Sequence, residues 1–546
     1  MTLAEKIVHL RSMNDISQEK LAKMLNISRQ SVSKWESGET TPSLDKIIEL
    51  GELFKVTTDE LLHDDVVIHR GQQLKVSIGE DIKTKYFGTD GFRGEVNKVL
   101  TANHAFKIGR FLGWFYSNPE YTGVKPGYRP RVVIGKDTRR SSYMLEYAVA
   151  AGLAASGADV CLLHVTTTPS VSYITRKDGF DCGVMITASH NPFYDNGIKV
   201  INAKGEKLDD SVAYLCEAYI DGDLKKLGLE GTDLPLAERD QIGSINDYSS
   251  GRNRYIAYLI SIAVHSFKGL KIGLDTANGA SWMIAKAVFD ALGANVYIVN
   301  NEPNGLNVNL DAGSTHIEKF KEYCKENKLD VGFAFDGDTD RCLAIDENGK
   351  VVDGDKIMYL LAAKLKNEGS LDKNTVVATI MSNSGLVKAL KGIGVEVVRT
   401  DVGDRFVLER MNKDGYSLGG EQSGHIIIKK YATTGDGILT AIMVTEEILE
   451  RKEPLSKLVA PVKEFPQKLK SVYVTDKNVV MEDPDVLNKF NEINAEIGSD
   501  GRISLRKSGT EPMIRIMVEH QNASKCDGYI EKMVNLLKKR GYLINE

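Results

Sequence analysis

The hydroxyl best placed to do chemistry is that of Ser189, in the stretch Thr187-Ala188-Ser189-His190-Asn191-Pro192-Phe193-Tyr194-Asp195-Asn196-Gly197-Ile198-Lys199. The run Cys182-Gly183-Val184-Met185-Ile186-Thr187 ahead of it reads as a short buried strand. Ser189 therefore falls just past a strand's carboxyl end, where open α/β sheets bind ligands. Asn191-Pro192 then turns the chain. A hydroxyl on such a turn can act as nucleophile or phosphoryl carrier if a cation or base activates it, and Lys199 lies ten positions on. A Ser-His pair by itself would read as a polar loop, because adjacent residues rarely aim at each other and no G-x-S-x-G elbow surrounds this serine.

Asp336-Gly337-Asp338-Thr339-Asp340-Arg341 follows another strand-like run and offers three carboxylates at alternating positions. Such a set can converge on one hard divalent cation. An EF-hand is the rival reading, with Glu347 at its twelfth position, but Arg341 stands where that loop needs glycine and the flanks read as strands. A solvated acidic turn is the third reading, since D-x-D patterns are common. Three carboxylates leave room for a further anionic ligand, and a phosphoserine of roughly −1.5 to −2 charge would suit it. The serine loop and the aspartate loop thus explain each other.

Two further stretches could hold a phosphorylated ligand. In Gly419-Gly420-Glu421-Gln422-Ser423-Gly424-His425 the glycines let the backbone approach a ligand, while Glu421 and Ser423 can bind neighbouring hydroxyls. A glycine-rich turn around a buried Glu explains that pattern equally well. Arg506-Lys507-Ser508-Gly509-Thr510-Glu511-Pro512 joins two apparent strands, 502–505 and 514–518, in a region with four basic residues against one acid. Guanidinium, hydroxyls and glycine amides make a phosphate cradle.

The elements that must position these residues follow from the pattern. From Lys85 onward, strands alternate with helices, which implies parallel α/β layers. Strands are expected at 131–134, 159–163 and 182–187, with a helix over 143–155; the pattern recurs from Lys271 to Phe335 and from Thr375 to Arg399. After Pro461 a smaller α+β unit closes the chain. At 546 residues the chain is too long for one core and must be modular. Its net charge of −5 argues against a surface that coats nucleic acid. The six cysteines form no C-x-x-C pair and read as reduced core residues. No apolar h-region follows Glu5 and Lys6, and the run 256–264 is well short of the ~20 residues a membrane span needs, so a cytoplasmic protein is expected.

Residues 3–62 differ in kind. Leu21, Ala22 and Leu25 give a helix an apolar face, Asn26-Ile27 turns the chain, and Ser28 caps a second helix running to about Glu36. On that helix Val32 and Trp35 are spaced to face a core, leaving Arg29, Gln30, Ser31 and Lys34 outward, types that read base edges and phosphates. A third helix is expected from Pro42-Ser43 with Leu44, Ile47, Ile48 and Phe54 inward, and Thr57 with Glu60 is a capping box for a last turn. The pattern from Gln18 to Leu44 resembles the Cro/repressor-like helix-turn-helix family. An interaction or dimerisation module is the alternative, since residues 1–62 carry eight Lys and Arg against ten Asp and Glu. Residues 64–84 read as a linker.

With Tyr86-Phe87-Gly88-Thr89-Asp90-Gly91-Phe92-Arg93-Gly94 and the four loops above in that order, residues 85–546 resemble the α-D-phosphohexomutase superfamily. Within it they are most similar to the phosphoglucosamine mutase branch, on Pro303-Asn304-Gly305-Leu306-Asn307-Val308-Asn309, Gly313-Ser314-Thr315-His316, Asp401-Val402-Gly403-Asp404-Arg405 and Gln422. The resemblance implies three similar mixed α/β domains and a C-terminal α+β domain around a central cleft, expected at 85–244, 245–350, 351–460 and 461–546 behind an all-α domain at 1–63.

It also implies a phosphorylated Ser189 that holds Mg²⁺ with Asp336, Asp338 and Asp340. Arg93 and Arg341 would steady the transferring group, Lys199 would handle protons, and His190 would belong to the catalytic set. The sugar phosphate would sit on Glu421, Ser423, Asp404, Arg405, Arg506, Ser508, Gly509, Thr510 and Arg515. The implied activity interconverts glucosamine 6-phosphate and glucosamine 1-phosphate through a sugar 1,6-bisphosphate, in a homodimer. Arg29, Gln30, Ser31 and Lys34 would contact double-stranded DNA. The alternatives are a phosphoglucomutase or phosphomannomutase, or a sugar-phosphate-sensing regulator. One departure stands out: Thr339 occupies a place where the superfamily usually has glycine, and a β-branched residue resists positive φ, which bears on the loop's geometry more than on the metal, since the three aspartates are intact.

Overall fold

The structure is a computed structural model that describes residues 2–13, 16–54, 56, 58–62, 84–88, 90–229, 231, 233–508 and 512–544. They fall into two compact units, 1–349 with 425–446, and 350–424 with 447–546.

The N-terminal helices are α1 (Leu3–Met13), α2 (Gln18–Met24), α3 (Arg29–Glu36), α4 (Leu44–Phe54) and α5 (Thr58–Leu62). Ser17 and Ser28 cap α2 and α3, accepting from the amides of Lys20 and Ser31. Ile7, Leu10, Leu21, Leu25, Val32, Trp35, Ile47, Leu50 and Leu61 form one buried cluster. Arg11 and Gln18 both donate to Glu36, at 2.5 and 2.8 Å, fixing the end of α3 against the start of the bundle. The expectation for α4 needs correcting. Leu44 is 65% exposed and Ile48 43% exposed, whereas Ile47 and Leu50 are buried. Leu44 opens the helix beyond its packing partners, and Ile48 lies about 100° off the stripe that Ile47 and Leu50 define. The capping box at Thr57 and Glu60 and nearly all of the linker at 64–84 lie outside the described residues.

The first α/β sheet contains β1 (Phe87–Gly88), β2 (Gly91–Glu95), β3 (Arg131–Lys136), β4 (Asp159–Val165), β5 (Cys182–Ile186), β6 (Asp195–Asn202) and β7 (Ile245–Asp247), in the order β1-β2-β6-β5-β3-β4-β7. Strands β5, β3, β4 and β7 run parallel, while β6 returns antiparallel to β5. The expected break at 244 therefore falls one residue before a strand of this sheet. Helices Ala102–Ser117 and Arg140–Ala155 cover it, and they touch through glycine: a Cβ on Gly152 would lie 2.1 Å from the Phe106 carbonyl. Phe111, Phe115, Leu145, Val149, Ile134 and Val184 fill the space beneath them.

The second sheet of this unit is ordered β11-β10-β8-β9, from β8 (Lys271–Asp275), β9 (Asn295–Val299), β10 (Val331–Phe335) and β11 (Cys342–Ile345). Strands β10 and β11 form an antiparallel pair closed by Phe335 opposite Cys342, so residues 336–341 are its turn.

In the other unit, parallel strands Thr375–Thr379, Glu396–Thr400 and Leu418–Gly420 form one sheet. A second, antiparallel sheet of Gln467–Tyr473, Met513–His520 and Gly501–Lys507 packs on helices Pro484–Ile497 and Ala523–Lys539. All six cysteines are buried and free. Among the described residues no helix is long and apolar enough to cross a membrane.

Candidate active site

Ser189 follows β5, and the chain returns as β6 with Lys199 opposite Met185. The serine is 1% exposed and takes a left-handed backbone, φ 51°. For a residue with a Cβ that conformation costs about 1–3 kcal/mol and persists only when its surroundings fix it. The Ser189 amide donates to Thr187 Oγ1 at 2.9 Å, and Thr187 in turn donates to Asp137 at 2.7 Å. The serine hydroxyl donates to Asp336 Oδ2 at 2.6 Å and lies 3.3 Å from His190 Nδ1. Burial, then the cations of Arg341 and Arg93, hold His190 below the usual histidine range.

The turn between β10 and β11 gathers the aspartates. Asp336, Asp338 and Asp340 are buried and present oxygens all within 4.8 Å of one another. Thr339 adopts φ 66°, the left-handed region its type resists, and the three aspartates still converge. Its amide donates to the Asp336 carbonyl and its carbonyl accepts from Gly437, which together hold the turn. Asp338 Oδ1 and Asp340 Oδ1 are buried with no hydrogen-bond partner. Hard oxygen donors left unsatisfied in a dry site fit a divalent cation of the Mg²⁺ class. Burial and the charges of Asp340 and Asp338 push Asp336 well above the carboxylate range. At Asp340 burial works the same way but Lys199 and His425 outweigh it, and the group stays well below that range.

Lys199 enters from β6. Its ammonium is 2.8 Å from Asp338, 3.2 Å from Asp90 and 3.3 Å from Asp340. Burial opposes its charge, but these carboxylates prevail and hold the lysine well above its ordinary value. Asp90 is also resisted by burial and held well below the carboxylate range by Lys199, Lys207 and Arg93. Arg93, on β2, pairs with Asp90. The Arg341 amide donates to Asp336 at 3.2 Å. His425 closes the set, its Nδ1 3.8 Å from Asp340 and its Nε2 accepting from the Gly435 amide.

In the other unit Glu421 is nearly buried and accepts from the Gly403 amide at 3.0 Å, just ahead of Asp404 and Arg405. Ser423 is exposed, and Arg405 donates to Glu409 one helical turn on. Arg506 and Arg515 stand directly opposite each other across the hairpin 501–520. Like charges so placed repel unless an anion joins them. A cavity of about 440 Å³ brings Arg506, Lys507 and Ser504 together with Asp401 and Val402. Ser508 is buried beside Lys477, which donates to its carbonyl; Gly509 and Thr510 lie outside the described residues.

Asp90, Lys207, Thr168, whose hydroxyl donates to Asp338, and His425 join the site though the sequence reading did not place them there. Asp90 and His425 sit inside stretches already singled out for other residues; Thr168 and Lys207 carry no local signal. On α3, Arg29, Gln30 and Lys34 are exposed and Ser31 is half-buried, its hydroxyl 2.9 Å from that of Ser28.

Family models match this architecture in series: phosphoglucomutase/phosphomannomutase alpha/beta/alpha domain I over residues 84–225, domain II over 253–349, domain III over 353–465 and the C-terminal domain over 469–536. A helix-turn-helix model matches residues 9–61. The chain belongs to the phosphohexomutase family, with a helix-turn-helix domain ahead of the enzyme. Its relatives in that family include the phosphoglucosamine mutase of Lachnospira eligens, 53% identical over 460 residues that make up 84% of this chain and 100% of the relative. The phosphoglucosamine mutase of Bacillus subtilis is 46% identical over 454 residues, 83% of this chain and 98% of that one.

Among solved structures, a phosphoglucomutase/phosphomannomutase family protein from Burkholderia thailandensis matches with TM-score 0.67 at 22% identity, over 84% of this chain and 98% of that one. The N-acetylphosphoglucosamine mutase of Aspergillus fumigatus in complex with GlcNAc-6P and magnesium matches with TM-score 0.58 at 17% identity, over 84% and 96%. At such identity both speak to the fold alone.

Proposed function

We propose that the chain interconverts glucosamine 6-phosphate and glucosamine 1-phosphate through a phosphorylated Ser189. The observation that carries this reading is the buried Ser189 hydroxyl at 2.6 Å from Asp336, in a triad of carboxylates and beside a lysine held charged. The phosphoglucosamine mutases above support the choice of sugar. Asp336, Asp338 and Asp340 would hold Mg²⁺, which when bound screens the charge of the transferring phosphoryl group.

The chain's own residues account for the remainder. In the first transfer the bond from phosphorus to Ser189 Oγ breaks, one to the sugar O1 forms, and the sugar's proton passes to the freed serine oxygen. In the second, the bond from phosphorus to O6 breaks, the serine is phosphorylated again, and its proton goes to O6. The 1,6-bisphosphate links the two steps. Arg93 and Arg341 supply positive charge where the phosphoryl group passes, and Lys199 would handle the proton that moves between the sugar and serine oxygens. Arg506, Ser508, Gly509, Thr510 and Arg515 would take the non-reacting phosphate, with Glu421 and Ser423 on the sugar hydroxyls and Asp404 and Arg405 beside them. A coupled assay with hexosamine and hexose phosphates, Mg²⁺ and a bisphosphate primer tests the reading. Higher kcat/KM for glucosamine 6-phosphate is expected; preference for glucose or mannose phosphate would move the chain to another branch of the family.

A second function rests on a separate observation, the helix-turn-helix match with three exposed polar side chains on α3. Arg29, Gln30, Ser31 and Lys34 would contact double-stranded DNA, and a homodimer would present two such units to paired half-sites about 34 Å apart. Recovery of no enriched sequence by the full chain at low salt would leave these helices as an interaction module.

A further inference from the structure

We propose that Arg139 and Asn309 are positioning residues that set the direction of the Ser189 hydroxyl, an inference that rests on the phosphoserine reading above. Neither side chain touches the hydroxyl. Both reach two carbonyls that follow its Cα in the loop, those of Ser189 itself and Asn191. Arg139 Nη2 donates to the Ser189 carbonyl at 3.1 Å and to the Asn191 carbonyl at 2.5 Å. Asn309 Nδ2 donates to the same two oxygens, at 2.8 and 3.1 Å. A third wall comes from the aspartate turn: a Cβ on Gly337 would lie 2.5 Å from the Ser189 carbonyl and 3.0 Å from Asn309 Nδ2. One carbonyl oxygen is thus enclosed by the segment after β3, the segment before β10 and the turn that carries the aspartates.

The enclosure is costly in ways that a loop needing only to close a strand would not require. The Arg139 guanidinium is fully buried, neutralised by Asp137, which also accepts from the Thr187 hydroxyl under the serine amide. Asn309 is itself left-handed at φ 58°, held by donation of its amide to Ala277, and its side-chain oxygen is buried without a partner. The peptide on one side of Ser189 is fixed through Thr187 and that on the other through Arg139 and Asn309. Rotation of either would let Ser189 relax toward negative φ and swing its Oγ away from Asp336. The donors therefore aim the nucleophile, and they tie its loop to the second sheet's connections, which keeps serine and aspartates in one frame.

The test uses the full chain with Asn309→Ala and, separately, Arg139→Lys, which keeps charge but loses the planar fork. Four quantities are read: kcat and KM for glucosamine 6-phosphate, the rate at which Ser189 takes a phosphoryl group from glucose 1,6-bisphosphate by intact mass, and the thermal midpoint. A misaimed nucleophile should lower kcat and the phosphorylation rate together by on the order of 10- to 100-fold, with KM within about twofold. The double variant should lose less than the product of the single losses, since both donors serve the same oxygens. Phosphorylation within about twofold of the parent in a folded Asn309→Ala chain would overturn the proposal, as would a kcat loss that disappears when activity is counted per folded molecule. A parent chain that phosphorylates Ser189 but turns over no hexosamine or hexose phosphate would refute the mutase reading while leaving the aiming test intact. A parent whose Ser189 takes no phosphoryl group overturns both.

Discussion

The serine and aspartate loops and helix α3 are both short runs of polar residues, yet the fold treats them in opposite ways. Around Ser189 the polar groups are buried, and nearly every one is tied to another: Asp338 to Lys199 and Thr168, Asp340 to Lys199, and Ser189 to Asp336. On α3, Arg29, Gln30 and Lys34 point to solvent. Buried charge must be arranged before any ligand arrives, because an uncompensated ion in a dry site is expensive. Exposed polar groups carry no such demand, because water satisfies them.

The contrast can be broken most directly at the nucleophile. Ser189→Ala should lower turnover at least about a thousandfold while sugar-phosphate affinity changes little, because the phosphoryl carrier goes but the binding loops remain. Comparable turnover by the variant, with binding measured calorimetrically, would remove the phosphoserine from the mechanism. The aspartates come next. Asp338→Asn deletes one of three charges and leaves the Lys199 ammonium with Asp90 and Asp340 alone, and Mg²⁺ affinity read by calorimetry should fall by at least about tenfold. Full activity of the parent in excess chelator would contradict the assignment.

On α3 the effects should be smaller and confined to DNA. Gln30→Ala with Lys34→Ala is expected to cost about 1–3 kcal/mol per lost base contact, abolishing discrimination between enriched and random DNA, while kcat/KM for the sugar phosphate stays at the parent's value. A drop in catalysis would show that the two regions are coupled. The smallest effect extends the argument to a buried acid outside the site. Burial, then the charge of Asp353, raises Asp355 to about 7. The folded chain thus holds a proton that the unfolded chain releases near its ordinary value of about 3.9, so stability declines as pH rises between those values and is level above. Asp355→Asn carries no such titration. Its thermal midpoint relative to the parent should rise by at most a few degrees across that window, and a difference independent of pH would reject the shift.

What could be read in the sequence was what is local along it. The serine stretch and the three aspartates are each confined to one turn after a strand, so spacing suggests a hydroxyl carrier and a cation site beside the polar-loop and acidic-turn readings, and the family resemblance chooses between them. Thr339 shows the limit of local reasoning: its type argues against positive φ, but hydrogen bonds from both sides of its peptide hold it there. Asp90, Thr168, Lys207 and His425 come from four separate segments, and no spacing links them before the sheets close. The same holds for Leu44 and Ile48, whose apolar type suggested burial that the direction of α4 denies. The strand at 245–247 escaped notice because three exposed residues carry no alternation to read.

The buried cysteines have a practical consequence. Burial raises the thiols of Cys182, Cys216 and Cys342 well above their ordinary value, and an un-ionised thiol shielded from solvent is a poor target for alkylating reagents. Label enters only when the surrounding structure opens. Five of the six cysteines belong to the first compact unit and Cys526 to the second. Counting adducts by mass against time therefore turns the native chain into its own recorder of which unit comes apart first, with no engineered probe.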